Sequence, residues 1–245
     1  MLKNYEPASL CRPELLSFSG WMISFWAGSI NMIASFSILF SRVSHMTGPT
    51  SDLSRFLATD MQMALFMGLV VFSFVFGAFM AAVVARSFKV TVNLMFSTIP
   101  VFLSVLLLST NPSFLAGGGS HFFAILLPLG MGWQNGATSQ CKIGRTTHVT
   151  GDITDIGLAI AQGDWTKARY FSVKFSGHVI GGMTGLFLMG FNGALALLVS
   201  ASGIVLTGLA INAFDYQHQL SKQRTADRVP SAEPVFAEML TAKAE

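Results

Sequence analysis

The chain of 245 residues is 52% hydrophobic and only 11% charged, with a formal net charge of +3. Soluble domains carry about 25% charged residues, so too few are present here to cover a water-exposed surface, and the mean hydropathy of +0.58 points to an integral membrane protein. No clustered basic face of the kind nucleic-acid binding needs is visible, and the partner this composition implies is the lipid bilayer.

Residues 1–19 read as a short polar tail with Lys3 and Arg12. A bilayer core takes about 20 apolar residues per helix, and the first such run is Trp21 to Phe40, interrupted by Gly28, Ser29 and Asn31. No apolar leader of signal-peptide length precedes it, so this run is expected to be a retained helix. The second run is Met61 to Ala85, closed by Arg86 and Lys89, and the third is Val90 to Ser109, weakened at Pro100. Asn111-Pro112 and Gly117-Gly118-Gly119 suggest a flexible connection. The fourth run, His121 to Trp133, reads as short and broken by Pro128, Gly130 and Gly132. The fifth is Phe171 to Met189, with Lys174 and His178 inside it. Gly190 to Gly193 is a tight turn, the sixth run is Ala194 to Ala213, and a polar tail follows in which Phe236, Met239 and Leu240 suggest one short amphipathic turn.

One device occurs twice. Ser44-His45-Met46-Thr47-Gly48, with Asp52 four residues after the Gly, returns as Thr147-His148-Val149-Thr150-Gly151 with Asp155, and the two His stand 103 residues apart. Each copy leaves an apolar run, breaks at Gly and enters a short amphipathic stretch, so the chain reads as a duplicated unit. Asn31 precedes the first His by 14 residues and Asn135, beside Gln134, precedes the second by 13. Small residues at Gly77, Ala81 and Ala85 in the second run match Gly177, Gly181 and Gly185 in the fifth, offset by 100 residues. Such spacing lets membrane helices approach closely.

The expected fold class is therefore an all-α membrane protein: six transmembrane helices as two inverted three-helix repeats, each with a broken or short amphipathic helix after its first span. The organisation reads as an N-terminal tail (1–19), a first repeat (20–110), a connecting loop (111–120), a second repeat (121–213) and a tail, partly disordered (214–245). With six spans the termini share a side, and of the 15 Lys and Arg residues all but Arg42 and Arg55 fall on it. Cytoplasmic loops retain positive residues, so both termini are expected in the cytoplasm of a bacterial inner-membrane protein. Cys11 and Cys141 then lie on the reducing side, with no disulfide framework.

The motifs point to binding more than to catalysis. A helix start presents unpaired N–H groups and a partial positive charge, so Thr47-Gly48 and Thr150-Gly151 suit an anion or a carboxylate, with Thr47, Thr150 and Asp152 as helix caps. Plain capping at the membrane surface is the alternative. Acidic groups in a bilayer usually face a cavity or a partner, which singles out Asp52, Asp152 and Asp155; an interfacial helix resting on headgroups would use the same stripe. His45 and His148 suit either a proton relay or ordinary hydrogen bonding, and His178 lies inside an apolar run. Asn31, Gln134 and Asn135 suit either a polar solute or a bridge between helices. No nucleophile elbow, phosphate loop, dinucleotide fingerprint or metal spacing appears, so neither an enzyme nor a cofactor or metal site is expected.

Ser44-His45-Met46-Thr47-Gly48, Gly132-Trp133-Gln134-Asn135, and Val149-Thr150-Gly151 with Thr154-Asp155 resemble the YoaK family, over roughly residues 15 to 214. That bacterial family of six-helix membrane proteins is classed as a domain of unknown function, so the resemblance implies an architecture and no activity. The chain departs from the family at Pro49, where an Asn is common, and at Asn31, where an Asp is common. The functional expectation is a small transporter or permease for an unknown solute, with its pathway formed by the two motif segments and their amides. A non-transporting scaffold or stress-related partner protein is the alternative. The sequence is also compatible with a homo-oligomer.

Overall fold

The computed structural model describes residues 6–39, 41–111 and 120–228; the tail ends, the core of the connecting loop and the turn expected around Phe236 lie outside them. The described residues form nine α-helices and no strand: α1 (Pro13–Ile33), α2 (Thr47–Thr59), α3 (Met61–Val84), α4 (Val90–Phe96), α5 (Ile99–Thr110), α6 (Ser120–Ser139), α7 (Val149–Ala161), α8 (Trp165–Met189) and α9 (Gly193–Arg228). Four stretches, Pro13–Ile38, Met61–Val84, Val90–Thr110 and Gly193–Thr225, are long and apolar enough to cross a membrane, and the protein is a multi-pass helical membrane protein.

Local chemistry sets several of the helix ends. Asp60 accepts hydrogen bonds from the Gln62 and Met63 amides and starts α3, and Asp164 does the same for α8 through the Lys167 amide. Pro100 lacks an N–H, so the third run splits at Ser97 and Thr98, whose hydroxyls cap the α4 carbonyls of Leu94 and Met95 at 2.6 Å each. The last turns of the first run widen into a π-helical segment, Ala34–Ile38. Ser35 and Ser37 donate there to the carbonyls of Asn31 and Ile33, 2.7 and 2.8 Å away, a back-bonding that loosens helices.

Several sequence-based boundaries need correction. The first helix begins at Pro13, inside the expected tail, because proline is favoured in the first turn of a helix. The fourth run is not broken. Pro128 and the glycines lie within one continuous helix, where the close packing of α6 outweighs their low propensity. The last helix runs to Arg228 through residues expected as a polar tail, fastened by Asp215, which is buried and accepts from the Ser9 amide and from Lys89.

Two helix pairs dominate the packing, α1 with α8 and α3 with α6; α2 lies on α3, α7 on α8, and α9 against α1, α4 and α5. Both dominant pairs close to backbone contact at glycine. A Cβ on Gly181 would collide with the Phe25 carbonyl, and one on Gly77 with the Leu129 carbonyl. A Cβ on Gly28 would meet the His178 carbonyl, and one on Gly132 the Phe74 carbonyl. Gly177 and Gly185 abut Trp21 and Ser29, and Ala81 abuts Gly136. Phe25 and Leu129 stand 104 residues apart, as do Gly77 and Gly181, Gly28 and Gly132, and Phe74 and His178. The register of the two stripes is thus 104 residues and not 100: Gly77 corresponds to Gly181, and Ala81 to Gly185.

Side chains away from these seams face outward and are apolar: Leu65, Phe72, Phe76 and Phe79 on α3, and Ile180, Met183 and Phe187 on α8. Lipid is the solvent that suits such a surface. Gly181→Leu should force α1 and α8 apart at a cost of about 3 kcal/mol, the upper range for overpacking. Leu206→Phe, at a position 65% exposed, should cost almost nothing. The detergent concentration at half-unfolding checks this; equal midpoints would show that the seam is not close-packed.

Candidate functional site

The motif segments are drawn together because the chain folds back on itself after α1 and after α6. The Asn31 side-chain oxygen, near the end of α1, accepts from the Val43 and Ser44 amides, both at 3.2 Å. The Asn135 oxygen on α6 accepts from the Thr147 amide at 3.4 Å. The two amides stand 104 residues apart and each grips backbone 12 residues downstream. Gln134 is buried and donates to the Ile23 carbonyl, 3.2 Å away, and to the Thr146 hydroxyl, tying α6 to α1 and to the second segment.

Both segments then open onto one cleft of about 970 Å³. From the first copy it is lined by Arg42, Ser44, His45, Met46, Thr47, Gly48, Ser51 and Asp52, and from the second by Arg145, Thr147, His148, Val149 and Thr150; Phe74, Ala78, Asn135, Gly136 and Ser139 form the floor between α3 and α6. Gly151, Asp152 and Asp155 lie around a neighbouring cleft of about 560 Å³ with Arg145, His148 and Lys174. Asn31 borders a third, of about 470 Å³, with Arg42, Gly48 and Asp52. Gln134 lines none of these three. A cleft of about 640 Å³ elsewhere, lined by residues such as Ser37, Val105, Leu108 and Asn192, carries no charged side chain.

The Thr-Gly pairs are not breaks. They lie in the first turns of α2 and α7, and neither Gly48 nor Gly151 has a positive φ. Their lack of a side chain serves close approach instead: a Cβ on Gly151 would collide with the His148 ring, and one on Gly48 would stand 2.8 Å from the Arg42 guanidinium. Thr47, Thr150 and Asp152 are not caps, since neither helix start has a side-chain cap.

Asp152 is instead half of a buried ion pair. Lys174 lies 2.7 Å from it, and the ammonium also donates to the Arg145 carbonyl at 2.8 Å. Tyr170 and Phe171 flank the cation at 5.7 and 5.0 Å. The pair fixes the second segment to α8. The first half has nothing equivalent: the corresponding positions hold Pro49 and Val70, both buried. Asp52 differs as well, pairing with Arg55 at 3.5 Å on an exposed turn.

His45 meets His178 of α8 with the two Nε2 atoms 3.0 Å apart. One imidazole must donate and the other accept, so the contact requires at least one neutral ring. Burial, then the Arg42 charge, lowers the His45 pKa below its ordinary value, which favours the neutral form. The sign follows. A His whose folded pKa is depressed contributes stability above its unfolded value of about 6.5 that is lost as pH falls through it.

The sequence reading missed Arg42 and Arg145. They were visible: each stands three residues before its motif His, 103 residues apart. They were read only as markers of orientation. The partner of His178 was not visible, since nothing in sequence links residues 45 and 178.

Two outcomes follow. Lys174→Met should destabilise by about 3–5 kcal/mol by leaving a buried charge, and adding Asp152→Leu should recover most of the loss. Equal unfolding midpoints for the single and double variants would contradict the pair. Lowering the pH from 7 to 5 should destabilise the wild type more than His45→Gln, measured the same way; parallel pH profiles would contradict the neutral His pair.

Among the curated proteins and the solved structures none matches this chain. The family model described as protein of unknown function (DUF1275) matches residues 19–210, which takes in both motif copies, both glycine seams and the helices that carry them. The chain belongs to that family, in agreement with its resemblance to YoaK.

Proposed function

We propose that this protein is a transporter or permease for a small solute in a bacterial inner membrane, with the cleft shared by the two motif segments as its binding site. The observation that carries the proposal is the convergence of both motif copies, from opposite halves of the chain, on one polar cleft of about 970 Å³. Charged and polar groups in membrane proteins usually mark a cavity or a pathway, and both motif copies contribute such groups to this cleft.

The architecture we infer is six spans in two inverted repeats. The candidate spans are joined by α6 and α8, whose polar residues Gln134, Lys174 and His178 are buried. The support for the repeat is the matched set of contacts 104 residues apart. A unit of three spans duplicated in tandem must be inverted in its second copy, and inverted repeats with interrupted segments near the midplane suit alternating access by rocking one half against the other. Both termini then face the cytoplasm. The asymmetry between the halves suits this motion: the Lys174–Asp152 pair fastens the second segment to α8, whereas the first is held by Asn31 and the His45–His178 contact.

Single cysteines in a Cys11→Ser, Cys141→Ser background test the arrangement with an impermeant thiol reagent. Phe191→Cys should react from outside and Ser87→Cys from the cytoplasm. Ser51→Cys, on the cleft wall, should react from both sides as the protein alternates. Phe191→Cys and Ser87→Cys reacting on the same side would contradict six spans, and Ser51→Cys reacting from one side only would contradict alternating access and favour a static scaffold.

A further inference from the structure

The cleft's charged residues narrow the solute to one chemical class. We propose that the cleft binds an oxyanion, a carboxylate or phosphate group of a small solute, held between Arg42 of the first motif and Arg145 of the second. The inference rests on the transporter reading above and specifies its substrate class.

Three observations carry it. First, both arginines line the cleft, and among the described residues neither side chain has an ion-pair or hydrogen-bond partner. A guanidinium presents several donors in a flat fork that matches a carboxylate or phosphate. The acid nearest by position, Asp52, is engaged by Arg55. His45, neutral or protonated, carries no negative charge that could offset them. The cleft is therefore electropositive. Second, the Ser44 side chain is 3% exposed, its hydroxyl has no partner, and the residue lines the same cleft. A buried hydroxyl without a partner is costly, and this one belongs to the cleft wall. Third, α2 and α7 both begin on the cleft wall without side-chain caps, so Thr47, Val149 and Thr150 place helix starts there. The arginines and the helix starts point to a ligand with negative charge and hydrogen-bond acceptors. The arginines come one from each repeat, so an anion between them bridges the two halves.

Purified protein in phosphatidylcholine nanodiscs provides the test, read as the shift in melting temperature and by calorimetric titration with sodium phosphate, disodium succinate and, as cation control, choline chloride at fixed ionic strength. Phosphate or succinate should bind and choline should not. Arg42→Gln and Arg145→Gln should each weaken anion binding by about tenfold, while the ligand-free melting temperature stays at the wild-type value. Binding of neither anion, equal binding by the arginine variants, or binding of choline in their place would overturn the proposal. A lipid headgroup offers the same oxyanion, so a parallel arm uses discs containing phosphatidylglycerol. A shift caused by that lipid and not by free phosphate or succinate would assign the cleft to a headgroup and overturn its use by a solute. The flux assay separates this from the transporter reading. Proteoliposomes that take up a cation or a neutral solute and bind no anion refute the oxyanion alone. Arginine-dependent anion binding with no anion flux upholds the oxyanion site and refutes transport.

Discussion

Backbone contact between α1 and α8, and again between α3 and α6, is the constraint on which the other features depend. At Gly181 against Phe25 and at Gly77 against Leu129 there is no room for a Cβ. In lipid the hydrophobic effect gives little reason for helices to associate, and close van der Waals approach takes its place. Each seam joins a helix of the first half of the chain to one of the second. Neither half is a self-contained bundle: the most extensive contacts of α1 and α3 are with α8 and α6. The two halves hold each other, and a cleft between them is the natural place for a site that both can alter.

That clasp brings the motif segments together. His178 lies on the α8 seam, where its carbonyl faces Gly28, and its ring meets His45 of the first segment. Phe74, which faces Gly132 on the other seam, forms part of the cleft floor. The seams thus position the site as well as the fold. A change in the helix spacing at Gly28 or Gly132 would be transmitted to the cleft through residues that belong to both.

Sequence and structure agree where a signal is local or periodic. The second and third apolar runs were legible because they are long and carry few polar residues, and Pro100 marked the split in the third. The small residues of helices α3 and α8 were legible by spacing, though the register was not, because Gly177 and Gly181 match Gly77 equally well by type. Only the packing of Gly181 on Phe25 and of Gly77 on Leu129 selects the offset of 104. The continuity of α6 was not legible, since Pro128 and two glycines argue against a helix that tertiary packing nevertheless holds. The fold-back of the motif segments was hidden as well. It depends on Asn31 and Asn135 binding backbone 12 residues away, and an amide in a membrane helix serves a solute or a neighbour equally well on paper. The ion pair of Asp152 with Lys174 was concealed by 22 residues of sequence and an intervening turn.

The central claim is that the fold is made by the two halves clasping each other. Expressing residues 1–115 and 116–245 as separate polypeptides tests it directly. The account predicts that the halves co-purify as one stable complex when made together, and that each alone is aggregated or degraded. Two halves that each purify as stable, monodisperse proteins would contradict it.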